Sequence, residues 1–266
     1  MKYIFDVDKI VKYLEKFKDN LGNLYTWKVH IEKLVELTVL KSEEIDSINK
    51  LNPYEKEIIL KNKVNLKLHE FHKHDKDNFE KLCLWIIKDW GGILTAKDSN
   101  SINLISEFLN SENPSYKRIA SSSKVGAYMY PEKYIIYDSR VAYSLNWIIL
   151  SQNAGNVYFP IPDGRNSKMS AFDMNVIIRM NNITRYVPTD LKELTKRKYI
   201  NERDKSLYIP EKEAYMELNK LIKKINNQLW ESDKFDKLFY TEMLLFSIAD
   251  REIFKDITER IGLTIN

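Results

Sequence analysis

Apolar residues recur at helical spacing along most of the chain. Ile10, Val11, Leu14 and Phe17 mark one face of a helix ending near Asn20-Leu21-Gly22, and Leu24, Trp27, Ile31, Leu34, Val35 and Leu40 mark a longer amphipathic one. Asn52-Pro53-Tyr54-Glu55 combines an Asn cap, Pro at the first helical position and Glu three residues after the cap, which predicts a helix over Glu55 to Lys61. Asp77 predicts a cap for a helix from Phe79 to Asp89, stopped at Trp90-Gly91-Gly92-Ile93. Ile102, Ile105, Phe108 and Leu109 form a short helix, and Asn113-Pro114 starts another over Ser115 to Ala120.

The second half continues the pattern. Val141, Leu145, Ile148 and Ile149 share a face behind Asp138, and a helix is expected from Phe172 to Met180. Asp190 with Glu193 repeats the cap signature. Pro210-Glu211 opens a long helix carrying Tyr215, Leu218, Leu221, Ile222, Ile225 and Leu229, and a last one runs from Lys234 to Asp250. Ser151 to Ser170 reads as a loop of a length that is usually functional or disordered, and Tyr158-Phe159-Pro160-Ile161-Pro162 points to a packed one. With only 7 glycines, the chain lacks the turns a parallel α/β fold needs, so a mostly α-helical protein is expected.

Composition narrows the class. The 266 residues can bury a large core, 44% are hydrophobic and 30% charged, and no apolar run approaches the roughly 20 residues that span a bilayer. The opening M-K-Y-I-F-D-V-D has no apolar signal core, which predicts a cytoplasmic protein. Cys83 is alone, so an internal disulfide and a multi-cysteine metal or iron–sulfur site are excluded. A net charge of +4 permits nucleic-acid binding without requiring it. His69 and His72 would share a helical face, but interleaved Lys67, Lys73 and Lys76 and the lack of a second ligand cluster favour a solvated face; neither metal nor cofactor is expected.

One stretch carries candidate chemistry. From Ser121 to Trp147 the chain reads S-S-S-K-V-G-A-Y-M-Y-P-E-K-Y-I-I-Y-D-S-R-V-A-Y-S-L-N-W. Lys124 is expected to open a short helix ended by Pro131; Tyr134 to Tyr137 follow as an extended run, and Asp138 opens the next helix. Both ionisable groups would then lie at helix N-termini, where the dipole favours a carboxylate and lowers the pKa of an amine. Asp138 equally suits a plain N-cap, and Lys124 an exposed first-turn lysine.

The stretch resembles the core of the helix-hairpin-helix DNA glycosylases, most of all their 8-oxoguanine-type branch. Lys124-Val125-Gly126 is similar to that family's K-V-A, and Asp138 to its helix-capping Asp. This chain has Ser121-Ser122-Ser123 where members have a glycine-rich hairpin, and its Lys-to-Asp interval is shorter. The resemblance implies a single unit of two interwoven helical lobes over residues 1–266, a hairpin and catalytic segment over 114–150, and an active site between the lobes.

The same resemblance implies an enzyme that extrudes a modified base from double-stranded DNA and cleaves its N-glycosidic bond. Asp138 would stabilise the oxocarbenium-like sugar, and Lys124 would attack it and form a Schiff base. Ser121, Ser122 and Ser123 would bind a backbone phosphate, aided by Arg140, Arg165 and Lys168. Trp90, Ile93, Tyr128 and Trp147 would line the base pocket or fill the gap in the duplex, although such aromatic residues equally suit a core. Glucosylated cytosine, as in phage DNA, or an oxidised purine would be the target, and the protein would act as a monomer. The contrasting expectation is a non-catalytic DNA-binding or partner-binding protein of the same fold.

Overall fold

Asp6 caps the first helix by accepting from the Lys9 amide at 3.1 Å, and α1 (Val7–Lys18) follows with Ile10 and Leu14 fully buried. The computed structural model describes residues 2–162, 167–182, 187–195 and 205–262. Among these residues the chain is mostly helical, pairs no strands beyond two isolated bridges, and has no helix long and apolar enough to cross a membrane.

The helix predicted over Leu24 to Leu40 does not form. The chain makes two single turns, α2 (Leu21–Leu24) and α3 (Lys33–Glu36), joined by non-helical residues. The reason is tertiary: Trp27 sends its indole N–H to the Trp90 carbonyl at 3.0 Å and its ring against Phe246, while Ile31 and Leu34 bury elsewhere. Thr38, with φ at 54°, turns the chain after α3.

After α4 (Ser42–Asn49), the Asn52 cap acts as predicted: Asn52 and Glu55 exchange hydrogen bonds in a capping box. The helix they start, α5, is far longer than expected and spans Pro53–His74. The histidine segment therefore lies on a packed helix; His69 contacts the Met129 carbonyl at 2.8 Å and His72 meets the Phe79 ring. Asp75, not Asp77, caps α6 (Lys76–Trp85), which widens into a π turn over Ile86–Trp90. Gly92, at φ +69°, closes it as the paired glycines predict.

Helix α7 (Asp98–Leu109) leads through a loop to α8 (Ile119–Met129), and α9 (Ser139–Ser151) follows the extended Tyr134–Tyr137 run. The described part of the long loop, up to Pro162, packs as expected: Asn146 clamps Phe159 with two hydrogen bonds of 2.8 Å, one to its carbonyl and one from its amide. Helices α10 (Ser167–Ala171) and α11 (Met174–Asn181) come next, the latter capped by Asp173. Pro210 introduces α12 (Glu211–Leu229); of the last helix expected from Lys234 to Asp250 the chain forms α13 (Phe239–Ile248), and a further helix, α14 (Glu252–Arg260), follows beyond it.

Buried apolar side chains gather in two clusters. One joins α1, α9, α12 and α13; the other joins α5, α6, the π turn and most of α8. The extended run is their seam: Tyr134, Ile135 and Tyr137 enter the first cluster and Ile136 the second. A polar residue placed here is shielded from water on both sides.

Candidate functional site

The predicted hairpin is absent. Ser115 to Arg118 are not helical, and α8 begins at Ile119 behind Arg118, which takes a left-handed conformation at φ 54°. Ser121, Ser122 and Ser123 thus lie inside the helix and are buried, and the amides of Ser121 and Ser122 already donate to the Arg118 carbonyl. They offer a phosphate neither hydroxyls nor amides. The helix starts early because Ile119 anchors in the first cluster, while Val125 and Tyr128 require the second.

Ser123 has another task. Its hydroxyl accepts the Tyr137 amide at 3.0 Å and so fixes the extended run against α8. The residues that follow each partner are Lys124 and Asp138. One buried hydrogen bond therefore ties the residue before Lys124 to the residue before Asp138, although the chain separates them by a turn and a run.

Lys124 is in the second turn of α8, not at its N-terminus. It is only 6% exposed, and its ammonium donates to the Ala120 carbonyl at 2.6 Å. Burial lowers its pKa, while Asp138 and Glu242 pull it back up through space. Gly91 makes room for it. A Cβ on Gly91 would stand 2.8 Å from Lys124 Cε and 2.6 Å from the Ile87 carbonyl oxygen. A Cβ on Gly126 would stand 2.3 Å from the Phe108 ring, which explains why glycine occupies the position of alanine in K-V-A.

Asp138 is the N-cap of α9, as predicted. Its backbone is extended, its Oδ1 accepts the Arg140 amide at 2.8 Å, and it remains half-buried rather than sealed. Arg140, in the first turn, stacks over Phe246 at 4.6 Å and pairs with Asp250 at 3.7 Å. These residues line a groove of about 170 Å³ with Trp27, Thr26 and Ser247. Trp27 and Phe246 meet at 89° with ring centres 5.8 Å apart, so the groove has an aromatic corner. It abuts the capped end of α9.

Behind the groove lies a set of buried charges that no motif announced. Glu57 and Lys61 of α5 and Glu242 of α13 are each under 5% exposed. Glu57 accepts from the Tyr128 hydroxyl at 2.8 Å and from the Trp90 indole at 2.9 Å, and lies 3.5 Å from Lys61. Lys61 reaches to 4.0 Å from Glu242 and sits over the Tyr128 ring at 4.4 Å. Burial pushes the Glu242 carboxyl up to about 7, with Lys61 opposing and Glu57 and Asp138 adding to the rise. The i, i+4 spacing of Glu57 and Lys61 was the visible signal, but it also suits a surface pair.

The expected pocket residues are corrected in part. Trp90, Tyr128 and Trp147 are 7%, 1% and 3% exposed, so they are core residues. Trp90 and Tyr128 bind Glu57, and the Trp147 indole donates to Asp256 at 2.7 Å. Ile93 is half-buried against the second cluster; its neighbour Leu94, 73% exposed, is the side chain the loop presents to solvent. Lys168 is exposed on α10, and Arg165 lies outside the described residues. Compared with family models, with curated proteins and with solved structures, the chain finds no match. The likeness to glycosylases rests on the residues of the 121–147 stretch.

Proposed function

We propose that this chain is a DNA glycosylase whose two clusters are the two lobes of a helical fold, without the family's hairpin. The observation that carries the reading is that Asp138 caps α9 half-buried beside an aromatic-walled groove, directly after the run that lies between the two clusters. At about 170 Å³ the groove is smaller than the roughly 300–1,000 Å³ of drug-sized sites, which suits one planar ring rather than a nucleoside. The extruded base stacks in the Trp27–Phe246 corner, and its sugar stays at the rim near Asp138.

The carboxylate then faces the positive charge that develops as the glycosidic bond breaks, in a site where low dielectric strengthens the interaction. If the neutral Lys124 amine attacks the sugar C1′, the base leaves with the bonding pair; the nitrogen lone pair then breaks the C1′–O4′ bond to give the Schiff base, and the two protons of the amine end on the released base and on O4′. If water attacks instead, the product is an abasic site. Leu94, exposed on the loop beside Gly91, fills the gap left in the duplex.

A specific observation favours a second reading: Lys124 is buried and bonded to its own helix. A non-catalytic binder would use that lysine only as packing. Mass spectrometry of free bases released from a panel of modified DNAs, including glucosylated cytosine and oxidised purines, separates the two. Release of one base class supports the enzyme. DNA binding with no release across the panel, and no adduct trapped by borohydride, supports the binder.

A further inference from the structure

The groove beside Asp138 has a fixed polarity along one edge. The rings of Trp27 and Phe246 are apolar walls, and the Trp27 indole N–H already donates to the Trp90 carbonyl. The Thr26 and Ser247 hydroxyls can each donate or accept, so they favour no partner; that of Ser247 gives its proton to the Met243 carbonyl at 2.6 Å. Two polar lining groups remain, and each has one sign. Arg140 carries only donors, and the Asp250 carboxylate only acceptors.

These two are held side by side. Arg140 Nη2 stands 3.7 Å from Asp250 Oδ2, an ion pair too long for a hydrogen bond, with the side chains 27% and 36% exposed. The guanidinium lies over the Phe246 ring at 4.6 Å, in the aromatic corner that Trp27 closes. A planar ring entering that corner meets an acceptor and, next to it, the donors of a rigid fork.

Base edges differ in this order. The cytosine edge runs donor, acceptor, acceptor (the C4 amino group, N3 and O2) and complements the groove at each step. Uracil and thymine run acceptor, donor, acceptor, which sets a carbonyl against the carboxylate, and the oxidised edge of an 8-oxopurine has the same order. Guanine fits only with the pair read the other way, both Asp250 oxygens taking its N–H groups, and it brings a second ring to a groove of about 170 Å³. A substituent on cytosine C5 and the glycosidic bond at N1 both lie off the edge that is read.

Building on the glycosylase reading, we propose that Arg140 and Asp250 are the specificity-determining residues of the groove and select a cytosine-type base. Asp250 accepts from the C4 amino group, and Arg140 donates to N3 and O2. Arg140 thus serves the base and not a backbone phosphate.

The test uses the full-length protein and free deoxynucleosides, by NMR, following the Trp27 indole N–H signal assigned by its loss in Trp27→Phe. Deoxycytidine and 5-hydroxymethyldeoxycytidine shift it at concentrations about tenfold below those needed with deoxyuridine, deoxyguanosine or 8-oxodeoxyguanosine. In Asp250→Asn, whose amide donates as well as accepts, deoxyuridine draws level with deoxycytidine. Arg140→Lys keeps the charge without the fork and loses the preference too, so it serves if the first variant does not fold. Equal binding of deoxycytidine and deoxyuridine by the wild type, a purine preference, no shift with any nucleoside, or an unchanged preference in a folded variant overturns the proposal. A deoxycytidine preference with no base released from any DNA would remove the glycosylase reading and leave this assignment intact. Release of an oxidised purine by a protein without that preference would do the reverse.

Discussion

Asp138 and Lys124 carry the candidate chemistry but are held in opposite ways. Asp138 is positioned by its own helix: the cap bond to Arg140 is two residues away and would form in any fold that kept α9. Lys124 is positioned by everything around it: the Ser123–Tyr137 bond, the bare Cα of Gly91, the Phe108 ring against Gly126, and the field of Glu242. The locally held group stays near water, where a substrate can reach it. The tertiary-held group is buried, where its charge is negotiable. A reactive pair needs both properties, and no single helix end supplies them.

The sharpest way to test the contrast is Asp138→Asn. Asn caps a helix as well as Asp, so stability changes by no more than a few tenths of a kcal/mol, while base release falls by roughly 10²–10³-fold or more. Asp138→Ala loses the cap too and costs about 1 kcal/mol in a thermal melt. Full activity in the Asn variant would reduce Asp138 to a cap.

The interior half is probed by pH. Glu242 has a folded pKa of about 7 against an ordinary 4.5, so the folded state holds the extra proton and stability declines as pH rises between those values. The decline amounts to about 3 kcal/mol, and Glu242→Gln lacks it. Urea unfolding of both proteins at pH 4 and pH 8 should show the variant gaining on the wild type by that amount; a constant difference would contradict the burial of a titrating carboxyl.

Smaller effects sharpen the packing half. Gly126→Ala drives a Cβ into the Phe108 ring and costs about 1–3 kcal/mol, recovered when Phe108→Leu is added. Equal melting of the single and double variants would show that the ring moves freely. Ser123→Ala leaves the Tyr137 amide without its acceptor in the interior and costs about 1–2 kcal/mol by thermal melt. An unchanged melting temperature would mean that the run and α8 are held together by other contacts.

Much of the helical layout was legible: the Asn52 cap, the Asp138 cap, the Gly92 turn and the α12 start each depend on residues within one turn of each other. Where packing decided, the reading failed. Apolar spacing over Leu24 to Leu40 suited a helix, but Trp27 and Ile31 are buried against different partners, so the chain bends. Three serines before Lys124 looked like a turn, yet Ile119 and Tyr128 had to reach two clusters, and the helix absorbed them. Trp90, Tyr128 and Trp147 looked available for a base but are core residues: the first two hold the buried Glu57 and the third donates to the half-buried Asp256.

The amino-acid sequence alone determined that the chain is mostly helical and that Asp138 begins a helix, because propensity, spacing and capping act over a few residues. Only the tertiary structure decided that Ser123 joins Tyr137, that Lys124 is buried while Asp138 stays half-buried, and that Glu57, Lys61 and Glu242 meet in the interior. Those groups come from helices distant in sequence, and the electrostatic cost of burying them exists only once the two apolar clusters close around them.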